Sequence, residues 1–162
     1  MKTKKSAGLA IIYDNKILLA HTTSRGWYGS YGIPKGGIDD GESKLDAAIR
    51  ETSEEVGINI PKKLIDPTEY TLTVSTKKYG HKIVYYYIVK IDDLSQIGLK
   101  DLRVPKKQLQ IEEVDWAGFL DYKEAMKRVM KSQIPLVNNL VGKGLLEKNN
   151  IILKFKDFGT RL

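Results

Sequence analysis

Glu51, Glu54 and Glu55 stand three and four residues apart, directly after Arg50, and a glycine-rich loop with a further carboxylate, Glu42, precedes them. On a helix, offsets of three and four share a face. Carboxylates so close repel one another unless something positive sits between them. Their hard oxygens suit Mg²⁺, with Mn²⁺ as an alternative. Such an ion neutralises non-bridging oxygens and a leaving phosphate, and Gly36 and Gly37 let the backbone approach closely. The spacing therefore points to metal-assisted phosphate chemistry.

The elements that must hold these groups can be read on either side. Ser43 with Asp46 three residues later is a capping-box pattern, which starts a helix at about Lys44. Gly57 suits a left-handed end to it. Leu45, Ala48, Ile49, Thr52 and Val56 form one stripe that can pack on a sheet. The Thr52 hydroxyl is expected to bond back to the helix backbone. Residues 8–13 and 16–21 are β-prone on either side of a tight turn and read as a hairpin. Residues 22–31 read as a loop. Residues 69–76 and 82–91 read as strands, the second central in a sheet. Residues 92–107 are polar and irregular, a surface loop. Residues 111–119 read as a strand, 121–131 as an amphipathic helix with Ala125, Val129 and Met130 inward, and Pro135 opens a last helix toward Gly142. This order implies an α/β layered domain.

A chain of 162 residues with 41% hydrophobic and 29% charged content fits one globular domain. There is no cysteine, which removes disulfides and thiolate chemistry. The start of the chain only faintly imitates a signal peptide, and no stretch is long enough to cross a membrane. The expected location is cytoplasmic. The net charge of +7 favours polyanionic partners such as nucleotides or RNA without choosing among them.

Residues 36–58 resemble the signature of the Nudix hydrolases. Gly36, Glu42, Arg50, Glu51, Glu54, Glu55 and Gly57 match in register, and Ile58 meets the final aliphatic position. Thr52 departs, where the family usually has an aliphatic residue. The resemblance implies an α/β fold, an α/β/α sandwich with a mixed β-sheet between helices, as a single domain over residues 1–162. Residues 149–162 would be a C-terminal extension or an extra strand. It implies hydrolysis of a nucleoside diphosphate linked to another moiety. Glu51, Glu54, Glu55 and the Lys35 carbonyl would hold Mg²⁺ or Mn²⁺. Arg50 would orient the carboxylates, and Glu42 would support the loop or a second metal through water.

The general base stays open between a signature glutamate and an acid outside it. Glu112 and Glu113 lie where some members place an extra carboxylate; Glu112 is carried as the catalytic candidate, with Asp115 weaker. Lys35, Gly36 and Gly37 are expected to meet substrate phosphates, and Trp27, Tyr28 and Tyr31 to stack on a base. Tyr79 and the tyrosines at 85, 86 and 87 follow, of which alternate ones must face opposite ways. His21 and His81 read as structural. Pro34-Lys35-Gly36 and Thr52 are similar to the asymmetric dinucleoside tetraphosphate hydrolases. Dinucleoside polyphosphates are thus the first expectation. An RNA 5′-end pyrophosphohydrolase and a non-catalytic nucleotide-binding regulator are the alternatives, and a homodimer is compatible with the family.

Overall fold

The computed structural model describes residues 3–23, 29–78 and 80–148. Strands β1 (Lys4–Tyr13) and β2 (Lys16–Thr22) form the expected hairpin. Asp14 and Asn15 at its tip have φ of 47° and 60°. Two successive positive φ values are what a two-residue turn needs to match strand twist, and Asp and Asn tolerate them.

Beyond the turn the two strands part. They pair only at Ile12↔Ile17 and Tyr13↔Lys16. Further along, the same edge of β2 is taken by β3 (Tyr31–Gly32) and that of β1 by β4 (Lys35–Gly37). Ile33 and Pro34 cross the gap between them. The other edge of β1 pairs in parallel with β6 (Gly80–Ile91), and β5 (Ile65–Thr76) closes that side antiparallel to β6. The other edge of β2 pairs antiparallel with β7 (Val114–Asp121). The result is one mixed, seven-stranded sheet whose centre splays open.

Alternation along β1 sends residues to two cores. Ala7, Leu9 and Ile11 meet helix α1 (Lys44–Val56) on one face. Ala10 and Ile12 meet α2 (Tyr122–Arg128) and α3 (Ile134–Gly142) on the other. This is the expected α/β/α sandwich. Each fully buried Leu or Ile in either core is worth about 1.5–3 kcal/mol. Thr52 is fully buried, and its Oγ1 donates to Ala48 O at 2.8 Å, as its position in the stripe predicts. Ala47, which that stripe leaves out, is buried as well.

Several expectations need correction. Residues 92–107 are not a plain surface loop: Ile97, Leu99 and Val104 are buried in the α1-side core. Polar neighbours without a period hide them in the sequence. The strand expected at 111 begins at Val114, and Ile111 is exposed. The helix at 121–131 ends at Arg128, with Val129 extended, and Met130 follows outside it. Thr22 and Tyr31 belong to strands rather than to a loop, because β2 pairs with β7 at Thr22↔Val114 and with β3 at His21↔Tyr31. The segment at 151–155 and Tyr79 lie outside the described residues. No described helix is long and apolar enough to cross a membrane.

Candidate functional site

Helix α1 starts and stops where its capping residues require. Ser43 Oγ accepts from the Asp46 N–H at 3.0 Å, and Gly57 ends the helix at φ 66°. Gly57 must also stay small, since a Cβ there would stand 2.6 Å from Gln108 O. That close approach docks the 108–114 segment on the helix end. Gln110 N–H donates to Glu55 O at 3.0 Å, and Glu113 N–H to Gln110 O at 2.8 Å.

Arg50 joins the preceding loop to the helix. Its Nε donates to Glu42 Oε2 at 2.9 Å and its Nη2 to Glu42 Oε1 at 3.0 Å, a bidentate pair. Nη2 also reaches Gly37 O at 2.8 Å, and Nη1 reaches Glu51 at 2.9 Å and Glu54 at 3.2 Å. The Arg50 bond holds the Glu42 carboxyl below its usual range, while its acidic partners raise Arg50 itself. Gly36 lies against Glu51 so closely that a Cβ would overlap the carboxylate.

Glu55 has a different environment. Burial pushes its carboxyl up to about 8, and the nearby charges of Glu51 and Glu113 add to the rise. Lys35 pulls the other way, through its charge and its backbone amide. Burial raises Glu51 too, against the Arg50 hydrogen bond. Crowded carboxylates whose own charge is disfavoured fit a hard divalent cation by donor chemistry. As the side chains stand, no three acidic or histidine groups among the described residues converge on one point. Glu51 and Glu54 are turned to Arg50, so an ion would draw them partly away from it.

A cavity of about 210 Å³ opens beside this group, in the gap left by the splayed sheet. Glu55, Glu113, Lys35 and Lys82 line it. Burial, and then the adjacent Lys35 charge, hold the Lys82 ammonium well below the ordinary lysine range. The rest of the wall is mainly apolar: Ile33, Leu72, Val74, Val84, Tyr86 and Met130. Gln133, buried behind it, accepts from Ile33 N–H and donates to Tyr86 OH, both at 2.9 Å.

The structure thus brings together Arg50, Glu51, Glu54 and Glu55, with Gly36 and Gly37 beside them and Lys35 in the cavity. Glu112 is exposed and outside the cavity lining, whereas its neighbour Glu113 is in it. Tyr31 also lies outside that lining. It packs on His21 and Trp116 at ring-centroid distances of 4.7 and 5.9 Å, under Arg128. His21 in turn pairs with Asp115. Trp27 and Tyr28 lie outside the described residues. Lys82 is the charged group that sequence reading misses. The available signal is strand alternation, which places it on one face with Val84 and Tyr86.

The NUDIX domain model matches residues 2–138. A protein described as RNA pyrophosphohydrolase from Ruthia magnifica subsp. Calyptogena magnifica is 29% identical, covering 85% of this chain and 79% of its own. The mRNA decapping complex subunit 2 of Schizosaccharomyces pombe is 28% identical over 78% of this chain, which spans only 17% of that longer protein. Among solved structures, a C. elegans Ap4A hydrolase binary complex superposes with a TM-score of 0.65 at 24% identity, covering 86% of this chain and 96% of that one.

Proposed function

The chain belongs to the NUDIX domain family, and from that premise we propose that it hydrolyses a phosphoanhydride bond in a nucleoside polyphosphate, with dinucleoside polyphosphates as the substrate class. The observation that carries this reading is the pairing of Lys35 and Lys82 with Glu55 and Glu113 in one cavity. Two ammonium groups suit a polyphosphate chain that runs past the metal-binding carboxylates. The apolar wall of Leu72, Val74, Val84 and Met130 suits the flat face of a base.

Glu51, Glu54 and Glu55 would hold Mg²⁺ or Mn²⁺. Bound there, the ion supplies charge neutralisation on phosphate oxygens and acidifies water. The chain's own residues do the rest. Arg50 keeps the loop and helix in register. Lys35 and Lys82 bind and orient the phosphates. An attacking water forms the new O–P bond as the anhydride P–O bond breaks. Its proton goes to Glu55 or Glu113, the two carboxylates that line the cavity, rather than to Glu112.

RNA carrying a 5′-polyphosphate is the second reading. It is favoured by the relatives described as RNA pyrophosphohydrolases and by the net charge of +7. The test is a Mg²⁺-dependent assay on diadenosine tetraphosphate, ADP-ribose, nucleoside triphosphates and 5′-triphosphorylated RNA, with Glu54→Gln as control. Turnover of diadenosine tetraphosphate, lost in Glu54→Gln, is expected. Turnover of RNA alone would replace the first reading by the second. Tight binding without turnover of any would make the protein a nucleotide-binding regulator.

A further inference from the structure

The two outer edges of the sheet are finished differently. At β7 the edge is covered: Val104 N–H donates to Ala117 O at 2.9 Å, and Phe119 N–H to Leu102 O at 2.8 Å. At the opposite side, β5 has β6 as its strand partner and no strand beyond it among the described residues. An open edge offers its backbone donors and acceptors to another strand. The first part of β5 is guarded by Pro67 and by a break in register between Asp66 and Tyr70. From Tyr70 to Thr76, Tyr-Thr-Leu-Thr-Val-Ser-Thr, there is no proline, no charge and no break. Thr71, Thr73 and Ser75 in this run are exposed.

We infer that a second copy of this chain docks on this edge, β5 antiparallel to β5, with the two-fold axis through Thr73. In such a pair each residue faces the one equally far beyond Thr73 on the other strand. Leu72 then faces Val74 of the partner subunit, an apolar pair on the α3 side. Thr71 faces Ser75 of the partner subunit, a hydroxyl pair on the α1 side. Just outside the neutral run, Glu69 faces Lys77 of the partner subunit, acid against base on the α1 side. Directly opposed strand residues of these kinds favour pairing, and like charges would oppose it.

Neighbouring registers lose this match. An axis on Leu72 sets Glu69 against a serine, and an axis on Val74 sets Lys77 against a threonine. Glu69 sits on the α1 side with partners of its own, Lys44 Nζ 3.0 Å from its Oε1 and Tyr87 OH donating to it at 2.9 Å, so Lys77 of the partner subunit would share its carboxylate with them. A strand pair of this length buries less than the roughly 800 Å² per partner of a typical stable complex, so the dimer separates on dilution. Leu72, Val74 and Thr76 line the cavity, so the partner strand backs one of its walls.

Sedimentation of the full chain over a concentration series, up to about 1 mM, is the first measurement. A monomer–dimer equilibrium is expected. Thr73→Lys, an exposed change away from the cavity, sets two like charges face to face and should leave only monomer at the same concentrations. The chain has no cysteine, so single variants report the register. On mild oxidation Thr73→Cys should cross-link to itself, because Cβ atoms on the axis lie about 4.5–5.5 Å apart. Thr71→Cys should not. A monomer throughout the series overturns the inference. So does a dimer that survives Thr73→Lys while Thr73→Cys fails to cross-link, since its contact then lies elsewhere. Neither result depends on which nucleotide is cleaved.

Discussion

The two walls of the cavity are built in opposite ways. The carboxylate wall is the inner end of a group built on one stretch of chain, residues 36–58: Glu55 lines the cavity beside Lys35 and Glu113, and behind it Arg50 ties the loop to the helix through Glu42, Glu51 and Glu54. The facing wall is gathered from β5, β6 and the turn before α3, through Leu72, Val74, Lys82, Val84, Tyr86, Met130 and Ser132. The first wall is rich in charge whose repulsion is left for a cation to relieve. The second is apolar except for its lysine and hydroxyls. The contrast separates chemistry from recognition: changes to the first wall should remove turnover, and changes to the second should alter what is bound and how firmly the wall stands.

The largest effect is expected at Glu55. Glu55→Gln keeps the shape and removes the charge, and kcat should fall by at least about 1,000-fold, roughly 4 kcal/mol of barrier. Stability should move the opposite way. The folded-state value of about 8 lies above the 4.5 of an ordinary glutamate. The group therefore favours the folded state fully below about pH 4.5, and that contribution is lost as pH rises through 8. In chelator, the wild type should lose about 2–4 kcal/mol over this window, at roughly 1.4 kcal/mol per unit and discounted for water entry. Glu55→Gln should not. Thermal unfolding at the two ends of the window, with and without Mg²⁺, checks this. A wild type with flat stability would show that Glu55 is not held in the strained state that separates the first wall from the second.

Lys82 tests the recognition wall. Lys82→Met keeps the stem and removes the ammonium. Losing one phosphate contact should reduce kcat/KM by about 10- to 100-fold, or about 1.4–2.8 kcal/mol, chiefly through KM. A loss confined to kcat would merge the two walls, with Lys82 acting in the chemical step. Steady-state kinetics on the substrate found in the panel separates these outcomes.

The same division decides what could be read from sequence. Every offset within residues 36–58 is local, so helix periodicity alone puts Glu51, Glu54 and Glu55 together and identifies the capping roles of Ser43 and Gly57. Lys82 is one strand lysine among several until the fold brings its side chain against that of Lys35. Glu112 and Glu113 are indistinguishable by type, and only the turn anchored on Glu55 O aims the second into the cavity. Tyr31 carries the right chemistry for stacking, but β2–β3 pairing sets it beside His21 and away from the cavity. The fold is legible in its strands and helices. The partly polar segment at 92–107 is not, because its buried Ile97, Leu99 and Val104 follow no period.

Gln133 tests how the second wall is held. Its amide bridges the Ile33 N–H, just before Lys35, to the Tyr86 hydroxyl on β6. Gln133→Leu leaves both groups buried without that partner and should cost about 2–4 kcal/mol in stability. Gln133→Glu, compared at about pH 4.5 where a buried carboxyl stays neutral, keeps an acceptor for Ile33 and a donor for Tyr86, so it should cost less. Denaturant unfolding of the two variants gives the ranking. Equal losses would mean that the amide fills space and does not tie the strands together.

The smallest effect is expected at Thr52, the one signature position where this chain departs from the aliphatic rule. Its hydroxyl bonds to Ala48 O at 2.8 Å within the helix, and the residue is fully buried. Thr52→Val swaps that hydroxyl for a methyl of similar size. The Ala48 carbonyl keeps its ordinary partner, the Thr52 backbone N–H one turn on, so no acceptor is stranded. The lost hydrogen bond and the gained apolar contact nearly cancel, and stability should change by less than about 1 kcal/mol. Because Thr52 faces the core while Glu51 meets Arg50 and Glu55 lines the cavity, kcat/KM should stay within about twofold. A large loss of activity with stability intact would mean that the hydroxyl sets the pitch of the helix that presents the carboxylates. The first wall would then depend on its packing side as well as on its charged one.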